Sequence, residues 1–133
     1  MTWLSRFAPF LQSLLRIVSG LMFLEHGTQK LFGFPPLPPE MAAMHVPGNA
    51  KPVLMAAAII ELVGGALISL GLFSRYAASI ASGEMAIAYW GVHTAMRHSL
   101  FPAFNGGDPA ILYCFVFLYF AAAGPGRYAV NQK

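Results

Sequence analysis

Long apolar segments alternate with short polar or proline-containing segments along this chain. The apolar segments run over residues 10–32, 53–73, 76–96 and 109–126. A helix needs about 20 residues to cross the hydrocarbon core of a bilayer. The fourth segment is the shortest, and flanking residues on both sides extend it. The pattern predicts four membrane-crossing helices within a single domain over residues 1–133.

Residues that interrupt helices lie between these segments. The stretch GFPPLPPE at 33–40 cannot continue a helix, because proline lacks a backbone donor and clashes with the preceding turn. Pro52 and Pro109 stand at first helical positions, where proline is favoured. The connection over 71–76 is short, so the second and third helices should lie antiparallel to each other. We therefore expect an all-α, integral membrane four-helix bundle with antiparallel neighbours.

Composition supports the membrane assignment. The chain is 57% hydrophobic and 10% charged, with a mean hydropathy of +0.61, whereas soluble domains carry about 25% charged residues. The eight Lys and Arg residues form no run, so nucleic acid is not an expected partner. The partner indicated by composition is the lipid bilayer. Cys114 is the only cysteine, which excludes an internal disulfide.

The basic residues also bear on orientation. The termini and the connection over 71–76 contain four of them, Arg6, Arg75, Arg127 and Lys133, and the other side has three, Lys30, Lys51 and Arg97. Cytoplasmic loops carry the excess of Lys and Arg. The count favours both termini in the cytoplasm.

The first apolar segment contains a polar stripe. At 100° per residue, five side chains fall within about 80° of one another, namely Gln12, Arg16, Ser19, His26 and Lys30. Glu25 and Gln29 lie at one edge of the stripe. A charge at the membrane centre costs about 2.5 to 3.5 kcal/mol on insertion scales. We therefore expect the stripe to face protein or water.

Carboxylates also lie on the packing faces of the next two helices. Glu61 precedes Gly65 and Ser69 at spacings of four, and Glu84 stands in a stripe of alanines and glycine. Small residues at this spacing let helices approach closely. The two longer predicted loops, residues 33–51 and 97–108, lie on one side of the membrane, which we call the long-loop side. At 1.5 Å per residue, Glu25 and Glu61 lie about 10 to 14 Å from this side, with Glu84 at about 20 Å. We expect Glu25, His26 and Glu61 to share a layer, with Glu84 below it.

His93 stands apart in this scheme. It is nine residues from Glu84, which turns it by about 180° on an ideal helix. The two side chains can converge only if the third helix is kinked. Structural interpretations also stand, since Arg16 could pair with a carboxylate of another helix and Lys30 could anchor the membrane interface.

Four motifs resemble the DoxX family of small four-helix bacterial membrane proteins. They are HG-x-x-KL at 26–31, ELVGG at 61–65, NGG followed by an acid at 105–108, and GPGR at 124–127. The matching family positions are Glu25, His26, Lys30, Glu61, Arg75, His93, Asn105 and Arg127. Asp108 departs from the family, in which Glu is more usual. The resemblance implies a multi-pass protein of the bacterial inner membrane. It also implies electron transfer to a membrane quinone, often through a partner redox protein.

The leading hypothesis is a quinone-interacting subunit of a membrane oxidoreductase system. His26 is the expected proton acceptor and Glu25 its orienting carboxylate, which makes these two the predicted catalytic residues. The predicted pocket contains Arg16, Gln29, Lys30, Glu61, Glu84 and His93. Quinone is the expected ligand.

Two other classes remain open. Inward carboxylates and histidines are typical of metal-binding bundles, and His26 with His93 could ligate haem. However, adjacent Glu25 and His26 do not form the Glu-x-x-His pair of those bundles. Inward charges also build ion pathways, so a small transporter or an assembly scaffold, acting as a homo-oligomer, is the alternative from a different class.

Overall fold

Helices account for most of the described structure. The computed structural model describes residues 2–42 and 48–131, and these residues form helices and connections without a β-strand. The four longest helices are α1 (Ala8–Phe32), α2 (Lys51–Leu70), α3 (Ser74–Ala88) and α4 (Asp108–Ala123). Shorter helical pieces are Thr2–Ser5, Pro39–Ala42, Gly48–Ala50, Tyr89–His93, Thr94–Arg97 and Pro102–Asn105. The predicted all-α class is confirmed.

Proline and glycine set the limits of the long helices. α1, α2 and α4 each carry a proline in the first turn, where its missing N–H leaves no bond unmade. α1 and α2 end at Gly33 and Gly71, whose φ angles of 67° and 72° lie in the left-handed region. Lys133 and residues 43–47 of the predicted loop lie outside the described residues.

The third predicted helix is not a continuous α-helix. α3 ends at Ala88, a π-helical turn follows over Tyr89–His93, and an α-helical turn completes the segment at Thr94–Arg97. The Thr94 hydroxyl donates a 2.6 Å hydrogen bond to the carbonyl of Tyr89, five residues earlier. A π turn holds more residues than an α turn, so the side chains beyond it rotate away from ideal α-helical positions.

α1 and α2 touch through their glycines. A Cβ on Gly20 would lie 2.8 Å from the backbone nitrogen of Ser69, and one on Gly27 would lie 2.8 Å from the Cα of Leu62. Gly65 approaches α1 equally closely. Such close backbone approach is typical of helix pairs in membranes. α3 packs mainly against α4, and α2 joins the two pairs by packing on α3.

The surface of the molecule is much more apolar than that of a soluble protein. Large apolar side chains are exposed on all four long helices, including Leu14 and Leu21 on α1, Val63 on α2, Ile87 on α3 and Phe115 on α4. The buried polar or charged residues are Ser13, Arg16, Ser19, Glu61, Ser74, Ser82 and Asn105. Exposed apolar surface of this extent marks a protein that contacts lipid or other protein.

Within the described residues, two helical segments satisfy the length and hydropathy of a membrane span. These are Ala8–Phe32 and the continuous helical run Gly48–Leu70. α4 is strongly apolar but has 16 residues. The site described below lies between the long helices, where their polar side chains meet.

Candidate functional site

An ion pair joins α1 to α2. Lys30 Nζ lies 2.5 Å from Glu61 Oε1. The Glu61 residue is 2% exposed, while the lysine side chain is 36% exposed. The second carboxylate oxygen, Oε2, is buried and has no hydrogen-bond partner among the residues that the structure describes. Glu61 therefore presents one paired and one unpaired oxygen in the interior.

Glu84 of α3 belongs to the same group of charges. Its Oε2 is also buried and without a partner, and its carboxylate interacts electrostatically with Glu61 and Lys30. The helical rise predicts that Glu84 lies in a deeper layer than Glu61. In the structure, this electrostatic interaction links Glu84 to the Lys30–Glu61 pair.

Tyr113 of α4 completes the group. Its hydroxyl is buried without a partner, and it interacts electrostatically with Glu61 and Glu25. The ring stacks on Phe117 at a centroid distance of 5.5 Å and packs against Phe23 at 5.6 Å. The polar cluster, defined as Lys30, Glu61, Glu84 and Tyr113, thus receives one side chain from each long helix.

The predicted catalytic pair lies at the rim of the polar cluster. Glu25 and His26 are both exposed rather than enclosed between helices. The His26 ring meets the Tyr113 ring edge-on at a centroid distance of 6.1 Å, and Gln29 is half-buried one turn further along α1. Glu25 and His26 therefore lie at the exposed edge of the bundle, and their catalytic role stays a prediction. Of the predicted pocket residues near them, Glu61 is buried and Lys30 is partly exposed.

Comparison with known proteins identifies the family of this chain. The DoxX family model matches residues 11–94, a segment that includes Lys30, Glu61 and Glu84. The chain belongs to the DoxX family. It is 42% identical over 134 residues to an uncharacterized protein of Haemophilus influenzae, covering 98% of this chain and 95% of that protein. No solved structure matches the chain.

Arg16 of this DoxX protein is distant from the polar cluster. It is 14 residues from Lys30 in α1, which corresponds to about 21 Å along the helix axis. Its guanidinium donates to the carbonyls of Ile68 and Ser69 at 2.7 and 2.6 Å, and to the carbonyl of Tyr128. The last carbonyls of a helix lack intrahelical donors. Arg16 therefore caps α2 and holds the C-terminal segment, rather than pairing with a carboxylate or serving the predicted pocket.

His93 ends the π-helical turn and contacts the segment that precedes α4. Its Nδ1 lies 3.2 Å from the carbonyl oxygen of Asn105, and the Asn105 side chain in turn donates to Ser99 and accepts from Gly107 N–H. The nearby Tyr89 hydroxyl donates to the carbonyl of Leu100 at 2.7 Å. Within the described part of the chain, no hydrogen bond or ion pair joins His93 to the polar cluster.

The described residues of this DoxX protein do not form a group of metal ligands. Across residues 2–42 and 48–131, no three His, Cys, Asp or Glu side chains are grouped as metal ligands. The two histidines considered for haem have different neighbours, Tyr113 for His26 and Asn105 for His93. Tyr113 was missed as a site residue. The available signal was a tyrosine hydroxyl on a strongly apolar helix, a signal that Tyr113 shares with Tyr119.

Proposed function

We propose that this DoxX protein crosses a bacterial inner membrane four times, with both termini in the cytoplasm. Exposed apolar side chains on each of the four long helices support four crossings. The excess of basic residues at the termini and the connection over 71–76 supports the orientation. Cysteine-accessibility labelling tests both points in intact cells, using single cysteines at Thr2 and Gly48 in a Cys114→Ser background. Labelling of Gly48→Cys alone from outside agrees with the proposal, and labelling of both positions contradicts it.

The polar cluster binds the head group of a membrane quinone or quinol. The observation that carries this proposal is a set of three buried polar atoms, near the Lys30–Glu61 pair, that have no hydrogen-bond partner within residues 2–42 and 48–131. These atoms are Glu61 Oε2, Glu84 Oε2 and Tyr113 Oη. A buried polar atom without a partner costs about 1 to 3 kcal/mol, so a ligand that satisfies all three gains affinity.

Quinone chemistry matches the donors and acceptors of the cluster. A quinone carbonyl accepts from the Tyr113 hydroxyl or the Lys30 ammonium, and a quinol hydroxyl donates to a carboxylate such as Glu84. One lysine faces two carboxylates, so the cluster also has the capacity to take up a proton. The aromatic rings of Phe23 and Phe117 provide an apolar wall beside it.

Reduction of a quinone to a quinol consumes two electrons and two protons. The polar cluster and the rim residues Glu25 and His26 handle the protons. The electrons come from a partner oxidoreductase. The exposed position of Glu25 and His26 is also compatible with a homo-oligomer. The chain is thus a quinone-interacting subunit rather than a self-sufficient enzyme.

Binding of a water-soluble quinone analogue to the protein in nanodiscs tests this function. Glu61→Gln, Glu84→Gln and Tyr113→Phe are expected to weaken binding about tenfold each, because each change removes about 1.4 kcal/mol of hydrogen bonding to the ligand. Lys51→Gln, an exposed lysine at the start of α2, serves as the control and should bind normally. Unchanged binding in all three cluster variants contradicts the proposal. Ion flux through liposomes containing only this chain, without a redox donor, indicates a transporter instead.

A further inference from the structure

One end of the bundle contains basic side chains and no carboxylate side chain. The five Asp and Glu residues are Glu25, Glu40, Glu61, Glu84 and Asp108. The described residues 2–24, 62–83 and 109–131 therefore contain none, yet they contain four basic residues, Arg6, Arg16, Arg75 and Arg127. α1 and α3 begin at this end, and α2 and α4 finish there. We call it the cationic end, and its charge favours an anionic ligand.

The C-terminal segment forms a fixed wall at the cationic end. Tyr128 N–H donates to the Ser13 hydroxyl at 3.4 Å, and Gln12 donates to the carbonyl of Gly124 at 3.3 Å. Val130 N–H donates to the carbonyl of Leu70 at 3.1 Å. With Arg16 also bound to Tyr128, the segment is held against α1 and α2 without a ligand. A wall that is fixed before a ligand binds is typical of small-molecule sites, which are largely preformed.

Two adjoining grooves lie between this wall and the beginning of α1. The polar groove has a volume of about 380 Å³ and is lined by Arg6, Phe7, Pro9, Phe10, Arg127 and Tyr128. The apolar groove, of about 370 Å³, is lined by Phe10, Ser13, Leu14, Ile17 and Tyr128. Phe10 and Tyr128 line both, so the two grooves form one amphipathic site. The Arg6 guanidinium lies 4.8 Å from the centroid of the Phe7 ring, at the polar part of the site.

We infer that this amphipathic site binds an anionic glycerophospholipid of the surrounding membrane. Arg6 and Arg127 contact the lipid phosphate, because a guanidinium matches the geometry of a phosphate group. One acyl chain follows Leu14 and Ile17 along α1. A free phosphate ion would leave the apolar groove unfilled, and a zwitterionic lipid would gain less from an end without carboxylates. The inference is independent of quinone binding, which concerns the polar cluster further along α1.

Native mass spectrometry and thermal unfolding in detergent test the lipid site. Added dioleoylphosphatidylglycerol should raise the unfolding temperature and persist as a bound adduct, whereas dioleoylphosphatidylcholine should do neither. The double variant Arg6→Gln/Arg127→Gln should bind the anionic lipid about thirtyfold more weakly, since each basic residue near an anionic lipid contributes about 1 kcal/mol. Arg97→Gln, near the opposite end, is the matched control and should bind normally. Leu14→Trp, which fills the apolar groove, should also weaken lipid binding.

The remaining outcomes would overturn the inference. Equal binding of both lipids would show that the arginines do not select an anionic head group. Equal weakening in Arg97→Gln would show only an effect of net charge. Stabilisation by inorganic phosphate alone, insensitive to Leu14→Trp, assigns the site to a soluble anion. The single variant Arg6→Gln guards against misfolding, because Arg6 lies in the exposed segment before α1. Normal lipid binding by this folded variant would also count against the site. Quinone binding measured on the same samples separates this result from the proposed function.

Discussion

Arg16 and Arg75 occupy equivalent positions in the two helix pairs of the protein. Arg16, on α1, donates to the carbonyls of Ile68 and Ser69 at the end of α2. Arg75, on α3, donates to the carbonyls of Ala121 and Ala122 at the end of α4. Each arginine caps the helix that packs against its own helix. A carboxylate also follows each arginine after nine residues, Glu25 in α1 and Glu84 in α3.

The two caps should differ in their contribution to stability. Arg16 is 1% exposed and serves three carbonyls, whereas Arg75 is exposed and serves two. Arg16→Gln should therefore lower the free energy of unfolding by about 3 kcal/mol or more, since each buried carbonyl left unpaired costs about 1 to 3 kcal/mol. Arg75→Gln should cost about 1 kcal/mol, because water reaches its partners. Reversible unfolding in mixed micelles measures both. A larger loss for Arg75→Gln would contradict the structural role given to Arg16.

The contact between α1 and α2 depends on a glycine at position 27. A Cβ there would lie 2.8 Å from the Cα of Leu62, and the backbone cannot move aside locally. Gly27→Ala should destabilise the protein by about 1 to 3 kcal/mol through overpacking. Gly83→Ala is the control, because a Cβ on this exposed helical glycine meets no atom within 4 Å. It should be neutral or stabilising by up to about 1 kcal/mol through helix propensity. Thermal unfolding measures the stability of both variants. A similar loss of stability in Gly27→Ala and Gly83→Ala would be inconsistent with the observed helix contact.

Much of the helical pattern could be predicted because hydrophobic period, proline and glycine act locally. The π turn at Tyr89–His93 could not, because the hydrophobic period of an ideal α-helix carries no signal for it. An ideal helical wheel assumes a constant rotation per residue, and this assumption fails at that turn. The relation of His93 to Glu84 was therefore beyond sequence reasoning.

The candidate site was predictable in composition and less so in arrangement. The polar stripe on α1 predicts that Arg16 and Lys30 face protein, and both have protein partners in the structure. A helical wheel does not show which neighbouring residue each side chain contacts. Arg16 meets helix-end carbonyls, which carry no side-chain signal in the sequence. Glu25 and His26 lie where the stripe reaches the exposed surface. A stripe about 80° wide is broad enough to include side chains buried against another helix and side chains at the exposed surface.

The Lys30–Glu61 pair should show strong coupling. Lys30→Met leaves Glu61 buried without its counter-charge, which should cost about 3 kcal/mol, at the lower end of the range for buried pairs because Lys30 is partly exposed. The double variant Lys30→Met/Glu61→Leu should recover most of this loss, because no uncompensated charge remains. A double-mutant cycle by thermal unfolding measures the coupling, with Lys51→Met as an exposed control. Additive losses would show that the two side chains do not form the pair seen here.

Tyr113 offers a way to separate stability from ligand binding. Its hydroxyl is buried without a partner, so it costs free energy in the unliganded protein. Tyr113→Phe should leave the stability unchanged or raise it by about 1 kcal/mol, since the change removes an unsatisfied hydroxyl and keeps the stacked ring. The same variant should bind the quinone analogue about tenfold more weakly, because it loses a donor to the ligand. Tyr119→Phe, on the exposed face of α4, is the control and should alter neither quantity. A Tyr113→Phe protein that is destabilised would mean that the hydroxyl has a structural partner, and one that binds normally would remove Tyr113 from the site. A more stable protein with weaker binding would show that the unpaired hydroxyl is retained for the ligand, as expected where function opposes stability.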